Sequence, residues 1–130
     1  MPNAALPWNP DAAGWARLFA AIDGRDADAF AAFIAEDGEF RFGNAPPVVG
    51  RAAIRAAVAG FFAAIGGCRH RLLASWTSPG TAVCEGEVTY TRHDGSTLAV
   101  PFVNVFALGD GRIRSYRIYI DNGPLFSARA

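Results

Sequence analysis

The chain has no lysine. All 12 Lys+Arg positions are arginine, and 12 acidic residues balance them to a formal net charge of +0. Without a lysine amine, Schiff-base catalysis is excluded. No basic stretch is dense enough to follow a phosphate backbone, which argues against a nucleic-acid partner. Cysteine is scarce as well. Cys68 and Cys84 read as small, reduced residues of a cytosolic protein. His70 and His93 form no recognisable ligand motif with them, so neither a disulfide nor a metal site is expected. No apolar run reaches the ~20 residues of a membrane helix. Met1–Pro7 lacks a basic region followed by an apolar one, so it does not read as a signal peptide. Together these absences point to a soluble, cytoplasmic protein with no membrane partner.

What is present is apolar. The composition is 52% hydrophobic and 18% charged, which excludes disorder. At 130 residues the chain reads as one domain, 1–130, able to bury roughly two thirds of its unfolded surface. The first half reads as helices and the second as long strands, an order that predicts an α+β domain with helices on one face of a curved antiparallel sheet.

Asn9-Pro10-Asp11 predicts a helix start, with a capping side chain and proline at the first helical position. Trp15, Leu18, Phe19 and Ile22 follow at helical spacing. Asp26 caps a short second helix with Phe30, Phe33 and Ile34 inside. Glu39 to Phe42 alternates as a strand, and Gly43 to Pro47 is loop. A third helix runs from Arg51 to Ile65, ended by Gly66-Gly67. Four strands follow: Arg69 to Thr77, Thr81 to Arg92, Thr97 to Leu108 and Arg112 to Asp121. Asp94-Gly95 marks a hairpin between the second and third of them. Leu125 and Phe126 are expected to pack back on the sheet.

This order resembles the nuclear transport factor 2-like superfamily, specifically its SnoaL-like branch. The resemblance is carried by Asp26-Ala27-Asp28-Ala29-Phe30 leading to Ala35-Glu36-Asp37-Gly38-Glu39-Phe40, and by Val49-Gly50-Arg51-Ala52-Ala53-Ile54. Further on it rests on Gly86-Glu87-Val88-Thr89-Tyr90, Pro101-Phe102-Val103-Asn104-Val105-Phe106, and Gly111-Arg112-Ile113 through Tyr119-Ile120-Asp121. It implies a cone-shaped α+β barrel, three N-terminal helices on a mostly antiparallel sheet, commonly a homodimer through the outer sheet face. It leaves activity open, because the superfamily includes isomerases, epoxide hydrolases, polyketide cyclases, dehydratases and non-catalytic modules.

Functional positions carried over from relatives are mostly departures. The ketosteroid isomerase positions for the two oxyanion donors and the base read Leu18, Asn104 and Phe42 here. Only Asn104 survives as a possible oxyanion donor. The limonene-type epoxide hydrolase positions read Ile118, Glu85 and Glu87, with Phe40 and Phe42 in place of the residues that position water. Polyketide cyclases of the SnoaL type rely on a His/Asp pair. This chain has His70 and Asp121, with no register that aligns them to that pair.

On the strand Thr81 to Arg92, Cys84, Gly86, Val88 and Tyr90 share one face, and Glu85, Glu87 and Thr89 share the other. Periodicity alone buries the first set; the resemblance turns the glutamates into the pocket. The expectation adopted here follows the resemblance, because Val100, Phe102, Asn104 and Phe106 on the next strand form a pocket wall and that strand is apolar on both faces. Inward glutamates about 7 Å apart would not both ionise cheaply, which suits a general acid and a general base. Otherwise they are surface residues paired with Arg92, Arg71 or Arg114. Trp15, Phe19, Phe40, Phe42, Phe62 and Trp76 are expected in core and pocket wall, joined by Phe102, Tyr116 and Ile118. His70 reads as a hydrogen-bonded structural histidine or a base, and Asp121 as an end-of-strand acid or a catalyst.

Two functions follow. One is an acid/base enzyme of isomerase, dehydratase or cyclase type, acting without a cofactor on a small apolar substrate through Glu85, Glu87 and Asn104. The other is a non-catalytic module that holds a hydrophobic ligand or dimerises.

Overall fold

The computed structural model describes residues 7–126, so most of the Met1–Pro7 stretch lies outside it. Helix α1 spans Ala12–Asp23 and buries Trp15, Leu18 and Phe19. Its cap is Asp11, not Asn9: the Asp11 carboxylate accepts the Gly14 N–H at 2.8 Å, so Pro10 precedes the helix instead of opening it. Helix α2, Ala27–Ala31, is capped by Asp26 as expected. Helix α3, Arg51–Ala63, buries Ile54, Val58 and Phe62 and ends two residues before the expected stop. It starts at Gly50, whose φ of 96° suits glycine alone, and Arg51 ties that start to the Ile34 carbonyl at 2.9 Å.

The strands are β1 Ile34–Phe42, β2 Val48–Val49, β3 Gly67–Ser78, β4 Thr81–Thr91, β5 Thr97–Gly109 and β6 Arg112–Ile120. They form one sheet in the order β2-β1-β6-β5-β4-β3, antiparallel except where β1 runs parallel to β6. β1 is longer than its alternation suggests. A register irregularity between Ile34 and Glu39 interrupts the period-two pattern while pairing to β6 continues. The two-residue β2 lies next to the predicted loop and had no visible signal. The α+β architecture, three helices and a curved, mostly antiparallel sheet, is thus the one expected.

α1 packs on β3 and α3 on β1, with α2 between the two helices. Side chains under the helices form the core, while the other sheet face has no helix over it among the described residues and exposes Trp76 and Tyr119. One end of the interior is filled by aromatic rings. Trp8 donates its indole N–H to the Gly14 carbonyl and packs on Trp15 and Phe106, and Phe106 lies 4.4 Å from the Tyr116 ring. At the chain's other end Arg92 binds the Leu125 and Pro124 carbonyls, so Leu125 packs back as expected. Phe126 stays exposed, its ring edge against Phe61.

Candidate functional site

The pairing of β4 with β5 decides which side chains face the interior. Cys84 lies opposite Asn104, Gly86 opposite Phe102 and Val88 opposite Val100. Directly paired residues share a face, so the buried Phe102 and Asn104 bring Cys84, Gly86, Val88 and Tyr90 inward with them. The expectation for Glu85 and Glu87 is therefore corrected: both lie on the outer face, partly exposed, and Glu87 sits 3.7 Å from Arg71 across β3. The physical reason is desolvation. Two carboxylates inside an apolar wall would need partners that the wall does not contain, whereas water solvates them outside. Gly86 makes the inner packing possible, because a Cβ there would lie 2.2 Å from the Arg71 carbonyl oxygen and 3.0 Å from the Phe102 ring.

The cavity between the sheet and the helices has a volume of about 230 Å³. Phe40, Phe42, Phe62, Phe102, Tyr116 and Ile118 line it as predicted, together with Asn104. Trp15 and Phe19 do not reach it; they stack behind its wall, where Phe19 supports Phe102. Trp76 is corrected outright: it lies on β3 beyond the Leu72–Ala74 irregularity, more than half exposed on the outer face. The irregularity shifts its parity relative to His70. The solvent-exposed part of the lining is Ala45, Pro46 and Ala57, at the end away from Phe106.

Among the described residues, His70 brings the one imidazole to the lining. Alternation along β3 turns Cys68, His70 and Leu72 inward. Asp23, the last residue of α1, holds His70 twice. Its Oδ1 lies 2.6 Å from the ring Nδ1, and its Oδ2 accepts the His70 backbone N–H at 3.0 Å. Phe19 stacks on the imidazole at 5.0 Å and Phe102 meets it edge-on at 5.4 Å, so orientation and tilt are both fixed. In the neutral tautomer whose Nδ1 proton is directed at the carboxylate, Nε2 carries the lone pair, and it makes no hydrogen bond among the described residues. Asp121, the other candidate partner, is exposed and accepts the Gly123 N–H instead.

Cys68 completes this cluster. Its sulfur lies 3.5 Å from the Ile22 carbonyl oxygen and 3.8 Å from Asp23 Oδ1. The ligand atoms of Asp23, Cys68 and His70 fall within 4.8 Å of one another, a donor set that sequence spacing did not disclose. Both Asp23 oxygens are engaged by His70, and burial, then the Asp23 charge, push the Cys68 thiol up to about 12. The group reads as a hydrogen-bond network around His70. The clue missed in the sequence was Asp23 itself. An acid in the last turn of a helix opposes the macrodipole and calls for a tertiary partner.

A second polar pair lies deeper. Asn104 is buried at 2% exposure, donates from Nδ2 to the Tyr116 hydroxyl at 3.4 Å, and leaves its Oδ1 without a partner. As an acceptor in that bond, the Tyr116 oxygen keeps its own proton to donate. Burial raises the Tyr116 hydroxyl well above its ordinary pKa, so it remains a neutral donor. Burial likewise pushes the neighbouring Cys84 thiol up to about 12. Among the described residues, no arginine, aspartate or glutamate lines the cavity.

No curated protein matches the chain in sequence. Solved structures share its fold at low identity. A nuclear transport factor 2-like protein from Burkholderia pseudomallei K96243 is 18% identical over 85% of this chain and 90% of that one, with a TM-score of 0.77. A protein of ketosteroid isomerase-like fold from Catenulispora acidiphila DSM 44928, in complex with trimethylamine, is 19% identical over 81% and 82%, with a TM-score of 0.75. An LEH-like epoxide hydrolase from M. tuberculosis is 16% identical over 86% and 83%, with a TM-score of 0.72. No helix among the described residues is long and apolar enough to cross a membrane. The family model for the SnoaL-like domain matches residues 15–116, which covers α1 through most of β6, and the chain accordingly belongs to the SnoaL-like domain family.

Proposed function

We propose that this chain is an acid/base enzyme of isomerase, dehydratase or cyclase type, acting without a cofactor on a small apolar substrate. One observation carries the reading: a histidine oriented by a carboxylate lines an otherwise uncharged, aromatic cavity. The sheet and helices enclose the substrate as a cone. His70 Nε2 removes a proton from a carbon beside a carbonyl, and the Asp23 carboxylate balances the charge that the imidazole acquires. The Tyr116 hydroxyl, positioned by Asn104, hydrogen-bonds the carbonyl oxygen as negative charge develops there. The resulting enol equivalent regains a proton at another carbon, expels a hydroxyl as water, or attacks an internal carbonyl. These three outcomes are the isomerase, dehydratase and cyclase variants of one first step.

Glu85 and Glu87 have no part in this scheme. Loss of the two acids from the cavity supports the alternative reading, a module that holds a hydrophobic ligand unchanged. The discriminating experiment is solvent deuterium incorporation into 2-indanone, followed by NMR. Wild type accelerates exchange, and His70→Gln loses about 100-fold or more of that acceleration while still binding the ketone. Equal exchange rates in the two proteins would remove His70 from the mechanism. No acceleration by wild type would leave the ligand-holding reading.

The outer sheet face is assigned to a second copy of the chain. It lacks a covering helix, and it presents Trp76 and Tyr119 beside the half-buried Val83, Val103 and Val105. The free thiols Cys68 and Cys84 suit a reducing, cytoplasmic setting.

A further inference from the structure

Asn104 is the one buried polar or charged residue among the described residues, and half of its amide is unsatisfied. A buried acceptor without a donor is costly, so natural structures rarely keep one that nothing completes. The Oδ1 belongs to a residue that lines the cavity, and it stands beside the Tyr116 hydroxyl, which still has a proton to give. The two groups therefore present one acceptor and one donor at a single place on an apolar wall.

We propose that the cavity takes a neutral ring compound bearing a hydroxyl or enol, whose oxygen accepts from Tyr116 and whose proton goes to Asn104 Oδ1. A hydroxyl satisfies both groups with one atom. A ketone or ether oxygen accepts from Tyr116 but leaves Oδ1 bare, and a hydrocarbon leaves both bare. An anion is disfavoured there: it would face the partial negative charge of Oδ1, and no arginine among the described residues lines the cavity to compensate its desolvation. The walls set the rest of the shape. Phe40, Phe42, Phe61 and Phe102 offer ring faces and edges, and about 230 Å³ lies below the ~300–1,000 Å³ of typical small-molecule pockets. One or two fused rings are the scale implied.

The inference rests on the cavity being the substrate site and not on proton transfer by His70.

Binding of three matched probes to the full-length protein tests it by calorimetry: 5-indanol, its near-isostere 5-methylindane, and indane-5-carboxylate. Wild type prefers the alcohol to 5-methylindane by about tenfold and binds the carboxylate at least tenfold more weakly than the alcohol. In Asn104→Leu the preference for the alcohol disappears while 5-methylindane binds as well or better. Asn104→Ala, which empties the position instead of filling it, gives the same loss and covers the case in which leucine does not pack. A preference that survives both substitutions, or its absence in wild type, overturns the proposal, as does a carboxylate bound as tightly as the alcohol. These outcomes are read without turnover. An unchanged exchange rate in His70→Gln would sink the catalytic reading and leave the binding result standing.

Discussion

Asp23 grips His70 through both carboxylate oxygens, one on the ring Nδ1 and one on the backbone N–H, linking the end of a helix to the start of a strand. This arrangement fixes the tautomer as well as the ring plane. An amide at position 23 offers either a donor or an acceptor to the ring without specifying the same tautomer. Asp23→Asn is expected to slow deuterium exchange into 2-indanone by about tenfold, with a smaller effect on ketone affinity. A rate profile against pH separates positioning from simple loss of fold, since a destabilised protein loses amplitude uniformly.

Removal of the outer acids tests the corrected face directly. Glu85→Gln and Glu87→Gln are each expected to leave exchange unchanged and to shift stability by no more than about 0.5 kcal/mol. The Glu87–Arg71 pair is exposed and contributes little. A large loss of exchange in either variant would return the glutamates to the mechanism.

At Gly86 the sheet has no room for a side chain. A methyl group there meets the Arg71 carbonyl oxygen and the Phe102 ring. Gly86→Ala is expected to cost about 1–3 kcal/mol in chemical denaturation. It also displaces Phe102, which bears on His70, so ligand affinity falls along with stability.

Burial pushes both thiols up to about 12, and it raises Tyr116 well above its ordinary value. Each of these groups keeps its proton longer folded than unfolded. Their contribution is fully present below pH 9 and is lost as pH climbs through the folded values. The melting temperature is expected to hold up to about pH 9 and to fall between pH 9 and about 12. A Cys68→Ser/Cys84→Ala variant has a shallower fall over that range.

Arginine at both Trp76 and Tyr119 places charge on the exposed outer face. Light scattering is expected to show a dimer for wild type and a monomer for the doubly substituted protein, with the exchange activity of each subunit retained. A wild-type monomer at tens of micromolar would remove the second copy from that face.

Architecture was legible because it follows from local patterns. The cap at Asp26, the apolar stripes on α1 and α3, and the strand alternation each act within a few residues. The interior was less so, and one hairpin shows why. Read as a two-residue turn, Asp94-Gly95 sets Glu85 opposite Asn104 and sends both inward. The loop instead closes on Arg92 and Ser96, with Gly95 at φ 87° and Asp94 bonded to Ser96, and Cys84 takes the glutamate's place. The alternation along β4 by itself pointed to the face that is buried, and the resemblance, not the pattern, turned the glutamates inward. The His70–Asp23 pair was out of reach for a different reason. Its members are 47 positions apart and meet only through the packing of α1 on β3.

The aromatic rings of Trp8, Trp15 and Phe106 close one end of the interior, and Ala45, Pro46 and Ala57 meet solvent at the other. Among the described residues, the exposed part of the lining is gathered on one side, so a bound molecule and the next to arrive share that doorway. On the proposed catalytic reading, product that lingers there competes with fresh substrate.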